Sequence, residues 1–129
     1  MSTSFRDQFI QKLRTKILSI QNFETTTSIE IFQNNTLRPI LKYQNDALVH
    51  IFLMDLKSKK QDFKTFSAKQ KHLLIDNHFR KNPNLRQLLL GMVIALFTSD
   101  EIKFYMSVSN ELNKRIFSML RIRLKDQLL

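Results

Sequence analysis

Few side chains in this chain are equipped for chemistry, and most of them sit where water would reach them. His50 follows Asp46 by one helical turn, and Lys42 precedes Asp46 by the same interval. Residues four apart share a helix face, so Asp46 and His50 could grip a cation together. The helical wheel puts all three opposite the apolar stripe of their own segment, where a solvated Lys–Asp–His row is the simpler reading. A metal site would also need a third and a fourth ligand. His72 and His78 stand among lysines, a poor place to hold a cation. The chain has no cysteine, which removes disulfides, thiolate metal sites and cysteine nucleophiles. Its single glycine, Gly91, lies inside a helical pattern, so no glycine-rich phosphate loop can be built. No serine–histidine–acid order stands out. The expectation is no cofactor and no metal ion, and these residues weigh against an enzyme without deciding the matter.

A different polar set is more informative. Gln44 and Asn45 fall within the arc of Leu41, Leu48 and Phe52, and Tyr105, Ser109 and Asn113 recur every four residues beside Leu112 and Ile116. If the two segments pack together, five polar groups meet inside the protein. Buried polar groups must find partners, so the set forms a network fixing helix register or lines a small ligand pocket.

Charge is placed unevenly. Residues 57–86 hold Lys57, Lys59, Lys60, Lys64, Lys69, Lys71, Arg80, Lys81 and Arg86 against Asp62 and Asp76, which puts +7 of the net +10 in this stretch. Such a run can meet nucleic-acid phosphates, with Phe63, Phe66 and Phe79 stacking on bases, or it can be a solvated surface that keeps the protein soluble. A helix-turn-helix fails here, because the helix after Asn82-Pro83 is too apolar to lie exposed in a groove.

The elements that must position these residues read as helices. The 129 residues suit one domain, 1–129, and one glycine with two prolines is too little turn chemistry for many strands. The chain is expected to be all-α, a compact bundle of about five helices over 5–21, 37–56, 68–81, 83–97 and 99–127. Ser4/Asp7, Ser67/Gln70 and Thr98/Glu101 have capping-box spacing. In the first helix Phe9, Leu13, Ile17 and Ile20 recur at helical spacing. Residues 22–35 are rich in Asn and Thr, with a single turn possible after Thr27. Thr36 caps the second helix, placing Pro39 in its first turn, where a missing N–H costs little. Residues 85–97 are apolar on nearly every side, which predicts a central helix, and Gly91 in its middle predicts a close neighbour.

Gln33-Asn34-Asn35-Thr36-Leu37-Arg38-Pro39-Ile40, with Lys42, Gln44, Asn45 and Asp46, resembles a group of small bacterial proteins without an assigned role. The similarity continues through Gly91-Met92-Val93, Phe97-Thr98, Glu101, Tyr105, Ser109 and Leu112-Asn113-Lys114-Arg115, covering residues 30–125. Members of this group are sometimes labelled glyoxalase. That label implies paired βαβββ units with His and Glu ligands on strands, and these residues carry no such pattern. The resemblance implies an all-helical fold and adds no catalytic residue.

Three functions follow as expectations: a non-enzymatic interaction domain first, then nucleic-acid binding through residues 57–86, then a small-ligand or enzymatic pocket at Gln44, Asn45, Tyr105, Ser109 and Asn113. The longest apolar run, residues 88–97, is too short to span a bilayer. The first twenty residues lack the apolar stretch of a secretory signal, so a cytoplasmic protein is expected. A straight helix over 99–127 would be about 43 Å long, against a diameter of roughly 36 Å for a domain of this size. It would overhang with Phe117, Leu120, Leu124 and Leu128 on its surface. Two remedies follow: the first helix folds back over the stripe with Phe5, Phe9 and Leu13, or a second copy covers it, and the second, a dimer through the C-terminal helix, is the expectation.

Overall fold

Side-chain caps mark where four helices begin. The Ser4 hydroxyl accepts from the Asp7 amide at 3.0 Å, and that of Thr27 accepts from the Glu30 amide at 3.2 Å. Ser67 with Gln70 and Thr98 with Glu101 form complete capping boxes, each side chain bonded to the other residue's backbone N–H. The computed structural model describes residues 4–15, 27–59 and 64–129. The helices are α1 (Phe5–Thr15), α2 (Ser28–Phe32), α3 (Arg38–Ser58), α4 (Ala68–Lys81), α5 (Pro83–Ile94), α6 (Ser99–Ser107) and α7 (Ser109–Leu128). Gln33–Leu37 is a π-helical turn that joins α2 to α3 in one continuous rod, so six helical segments stand among the described residues and no strand does. Positions 16–21 of the first expected helix, with Ile17 and Ile20, lie outside the described residues, as do Lys60 and Phe63.

The rod differs from the expected helix beginning at 37. Thr36 is not a cap. It is buried inside the π turn, and its hydroxyl donates across the protein to the Glu101 carboxylate at 2.8 Å. Pro39 therefore lies well inside a helix, where its ring crowds the carbonyl four residues back and it has no N–H to offer. The wide turn just before it is the accommodation. There the Arg38 amide donates to the Gln33 carbonyl, five residues back, and the widened backbone gives the ring room.

The last expected helix is two. Val108 leaves the helical region at φ −136° and ψ 36°, with its amide donating to the Tyr105 carbonyl at 3.1 Å. The Ser107 hydroxyl takes the Phe104 carbonyl at 2.6 Å, competing with the helical ladder next to a β-branched residue. The break lets the Tyr105 hydroxyl donate to Asn113 Oδ1 at 2.5 Å. In an unbroken helix these residues would stand about 12 Å apart along the axis.

Hydrogen bonds fix how the helices run. Gln33 meets Arg115, and Asn45 meets Arg123 and Gln127, so α3 and α7 are parallel neighbours. Gln44 of α3 donates to the Met92 carbonyl of α5 while Met54 and Leu88 flank one groove, so those two helices are antiparallel. On the far side of α7, the Phe79 ring of α4 lies edge-on to Phe117 at 5.8 Å, and Lys125 bridges Asp76. Leu112, Ile116, Leu120 and Leu124 are buried among these helices. Within one copy of the chain Phe117 of the stripe therefore meets Phe79 of α4, Leu120 and Leu124 are buried, Leu128 is half-buried, and α7, with 20 residues, spans about 30 Å.

Two further expectations give way. On α1 the buried apolar side chain is Ile10, while Phe5 and Phe9 pair with each other at 4.7 Å and stay 75% and 53% exposed. The reason is polar: Arg6, Asp7 and Arg14 turn inward to bond the α5–α6 connection. Helix α5 touches α3, α4 and α7, the central place expected of it, while its Asn84–Leu88–Gly91 edge faces solvent, with Leu88 52% exposed, where Gly91 predicts a close neighbour. Among the described residues no helix packs on Gly91; a Cβ there would meet none of their atoms within 4 Å.

A glycine held in a helix with open space around it costs backbone entropy and gains nothing. Gly91→Ala is expected to raise the unfolding free energy by about 0.5–1 kcal/mol. Urea denaturation followed by circular dichroism checks it, and a lower midpoint would contradict the open setting.

Candidate functional site

The structure separates the five polar residues expected to meet. Gln44 is spent on the Met92 carbonyl at 3.1 Å. Tyr105 and Asn113 bond each other across the α6–α7 break, and Ser109, half-buried, makes no side-chain hydrogen bond among the described residues. Asn45 points elsewhere, towards the far end of α7, where its Oδ1 accepts from Arg123 at 3.0 Å and its Nδ2 donates to Gln127 at 3.2 Å. For Asn45 the parallel register of α3 and α7 is the cause, since it sets Gln33 opposite Arg115 and so Asn45 opposite Arg123, ten residues beyond Asn113. Lys42, Asp46 and His50 are exposed. Among the described residues no three His or acidic side chains gather as a metal would need.

The basic stretch is also divided. Lys57 on α3, Lys64 before α4, and Lys69 and Lys81 at opposite ends of α4 are exposed, Lys71 is half-buried, and Lys59 is bonded to both oxygens of Asp55. Arg80 donates to Asn77. Arg86 donates to the Phe79 and Arg80 carbonyls, closing the C-terminus of α4. Arg80 and Arg86 do meet Arg121 of α7 around a hollow of about 410 Å³ that also includes Asp76, Phe79 and Phe117.

Two ionic clusters had no sequence signal, because their members are far apart in the chain. His78 is buried, with Nε2 donating to Asp55 Oδ2 at 2.6 Å and Nδ1 accepting from Asn82 Nδ2 at 3.3 Å. Burial raises the Asp55 carboxyl, but the hydrogen bonds from Lys59 and His78 outweigh it and hold the group below its ordinary value. Both imidazole nitrogens are committed, so His78 ties α3 to α4 and has no lone pair free for catalysis. The second cluster centres on Glu101. Its carboxylate takes both terminal nitrogens of Arg14, the Thr36 hydroxyl and the Thr98 amide. Burial again raises the pKa, and these donors, Arg14 foremost, bring it below 4.5.

The arrangement with chemical potential lies elsewhere, in a cleft of about 400 Å³ between the π-turn end of α3 and the outer face of α7. Arg38, Arg115 and Arg123 line it, facing one acid, Asp126. Gln33 Oε1 accepts from Arg115 at 2.9 Å, and Asn45 Oδ1 accepts from Arg123 at 3.0 Å. Amide oxygens orient a guanidinium without neutralising it. Arg115 also donates through Nε to the exposed Glu111 at 3.3 Å, whereas Arg38 has no hydrogen-bond or ion-pair partner among the described residues. Desolvation pushes the Arg123 pKa down, opposed by the neighbouring Asp126 charge. Sequence reasoning singled out Asn45 but none of the three arginines. The available signal was the spacing of Arg115, Arg123 and Gln127, which share one helical face at intervals of eight and four.

No family model, curated protein or solved structure matches the chain.

The Glu101 cluster yields a pH dependence with a definite sign. A carboxyl whose folded pKa is depressed adds stability that is complete above its ordinary 4.5 and is lost as pH falls through the lower folded value. Glu101→Gln is expected to cost about 2 kcal/mol at neutral pH, because Arg14 loses its charged partner. The gap to the parent should shrink as pH falls below 4.5, from neutral pH to about pH 3, as the parent's carboxyl is protonated first in the unfolded chain. Urea unfolding at the two pH values checks it, and an equal gap at both would remove the carboxylate's role.

Proposed function

We propose that this chain is a non-enzymatic binding domain that holds an anion in the cleft between α3 and α7. One observation carries the reading: three guanidiniums line a single cleft, two of them held by neutral amide oxygens, with Asp126 as the only acid in its lining. Arginine presents paired N–H groups in a fixed fork suited to carboxylate and phosphate, and burial strengthens the attraction. The cleft includes Ser118 but no histidine beside it, and so no nucleophile–base pair. Gln33, Arg38, Asn45 and Arg115 also fall in the segments that resemble the small bacterial proteins, which is the ground for proposing kinship with them.

A second reading, nucleic-acid binding, draws on the Arg80–Arg86–Arg121 hollow, where two residues of the basic stretch meet α7 beside two phenylalanines. It ranks lower because Arg86 is already spent on backbone carbonyls and Asp76 is paired with Lys125. Fluorescence anisotropy with a labelled oligonucleotide at low and high salt separates the two. Salt-sensitive binding lost in Arg121→Gln but kept in Arg38→Gln would favour nucleic acid.

For the leading reading, inorganic phosphate is expected to raise the thermal midpoint in proportion to its binding. Phosphate also stabilises proteins by exclusion from their surfaces, so the comparison with Arg38→Gln decides. Arg38 is exposed, so the variant should fold as the parent does. Its phosphate constant by isothermal titration should be at least about tenfold weaker, the loss of one charge-assisted hydrogen bond. Equal constants would overturn the assignment.

A further inference from the structure

The cleft's lining carries a second chemistry that inorganic anions do not use. Leu41, Met119 and Ile122 line the same space as the three arginines. Leu41 is buried, but Ile122 is 58% exposed among charged and amide side chains. A large aliphatic side chain left open beside guanidiniums gains only when something apolar covers it.

The donors have a pattern too. Arg38 stands on one wall, with all five of its N–H groups free of described partners, and Arg115 and Arg123 stand on the other, eight residues apart along α7. Arg115 spends Nε on Glu111 and Nη1 on Gln33, which leaves its second terminal nitrogen. Arg123 spends Nη1 on Asn45. The remaining donors approach from two helices. A carboxylate has two coplanar oxygens and is satisfied by one such fork, whereas a tetrahedral phosphate presents three terminal oxygens in different directions. Charge agrees with this count. Three guanidiniums less Asp126 leave a +2 lining, which Glu111, paired with Arg115 from outside it, lowers to +1, so the site keeps the sign that a phosphate monoester of about −1.5 to −2 at neutral pH requires.

We propose that the ligand of this cleft is a phosphate monoester carried on an apolar organic group, with the phosphate between Arg38 and the α7 arginines and the apolar group over Ile122 and Met119. The proposal rests on the anion-binding reading and narrows it. Asp126 at the same site disfavours a second acidic group on the ligand and can accept a hydrogen bond from a hydroxyl.

Isothermal titration with phenyl phosphate, inorganic phosphate and benzoate tests it on the intact chain. Phenyl phosphate is expected to bind about tenfold more tightly than inorganic phosphate, the factor that covering roughly 55 Å² of apolar surface supplies. Benzoate should bind more weakly than phenyl phosphate. In Ile122→Ser the ratio of the phenyl phosphate and inorganic phosphate constants should fall towards one, and in Arg38→Gln both constants should weaken. If phenyl phosphate binds no better than inorganic phosphate while both depend on Arg38, the apolar half is wrong and anion binding stands. Benzoate binding as tightly as phenyl phosphate overturns the phosphate half. If no anion binds, or none depends on Arg38, the cleft is no anion site and the proposal falls with it.

Discussion

Pro39 cannot donate a backbone hydrogen bond, and its ring needs space behind it, yet it sits well inside the rod that runs from Ser28 to Ser58. The backbone answers with one wide turn, and much of what is specific to this protein follows from that answer. The turn sinks the Thr36 hydroxyl towards Glu101, where it helps gather α1, α3 and α6 on one carboxylate. It leaves Gln33 on the α7 side to hold Arg115, and it sets Arg38 at the mouth of the cleft. Wide turns of this kind recur at functional sites in other proteins. Here the link is mechanical: a helix starting afresh at residue 37 would not carry Gln33 along the same wall.

The arginines divide by what their hydrogen bonds do. Arg6 donates to the Ala95 and Phe97 carbonyls, Arg14 to that of Leu96, and Arg86 to those of Phe79 and Arg80. The Phe79 and Arg80 carbonyls are ones α4 leaves unpaired at its C-terminal end, and the other three lie just past the end of α5; at both ends a cation is also favoured by the helix dipole. A good part of the basic excess is therefore consumed in closing helices. Arg38, Arg115 and Arg123 make no such bond; amides steady Arg115 and Arg123, and of the two only Arg115 also pairs with an acid, the exposed Glu111. Net charge alone cannot make this distinction, because both groups count equally towards the +10.

Local rules carried the reading of the sequence a long way. Three capping spacings and the Asn82-Pro83 pair marked the starts of α1, α4, α5 and α6, and the apolar stripes of α3 and α7 name about half of the core. What failed was everything that needs a partner from elsewhere in the chain. Thr36 looks like a cap until Glu101, 65 residues on, claims its hydroxyl. Val108 has neither glycine nor proline beside it, and the break there is settled by Ser107 and by the contact that Tyr105 gains with Asn113. Gly91 suggested crowding, and its surroundings are open. Of the proposed cleft only Asn45 was legible, since single-sequence periodicity says which residues share a face and not which faces meet.

The walls of the cleft have a consequence for how the chain closes. Gln33 and Arg115 are 82 residues apart, and Asn45 and Gln127 are separated by the same interval. Local helix formation can complete either wall, but the space between them exists only after a loop spanning most of the molecule has shut. Fraying of a single helix end would leave one wall standing, so occupancy is coupled to global closure and not to any local element. A ligand seated there acts as a clasp on the entire topology. Its grip would be felt most in the slowest, least local step of folding, and amide exchange in α3 and α7 should slow together when the cleft is filled.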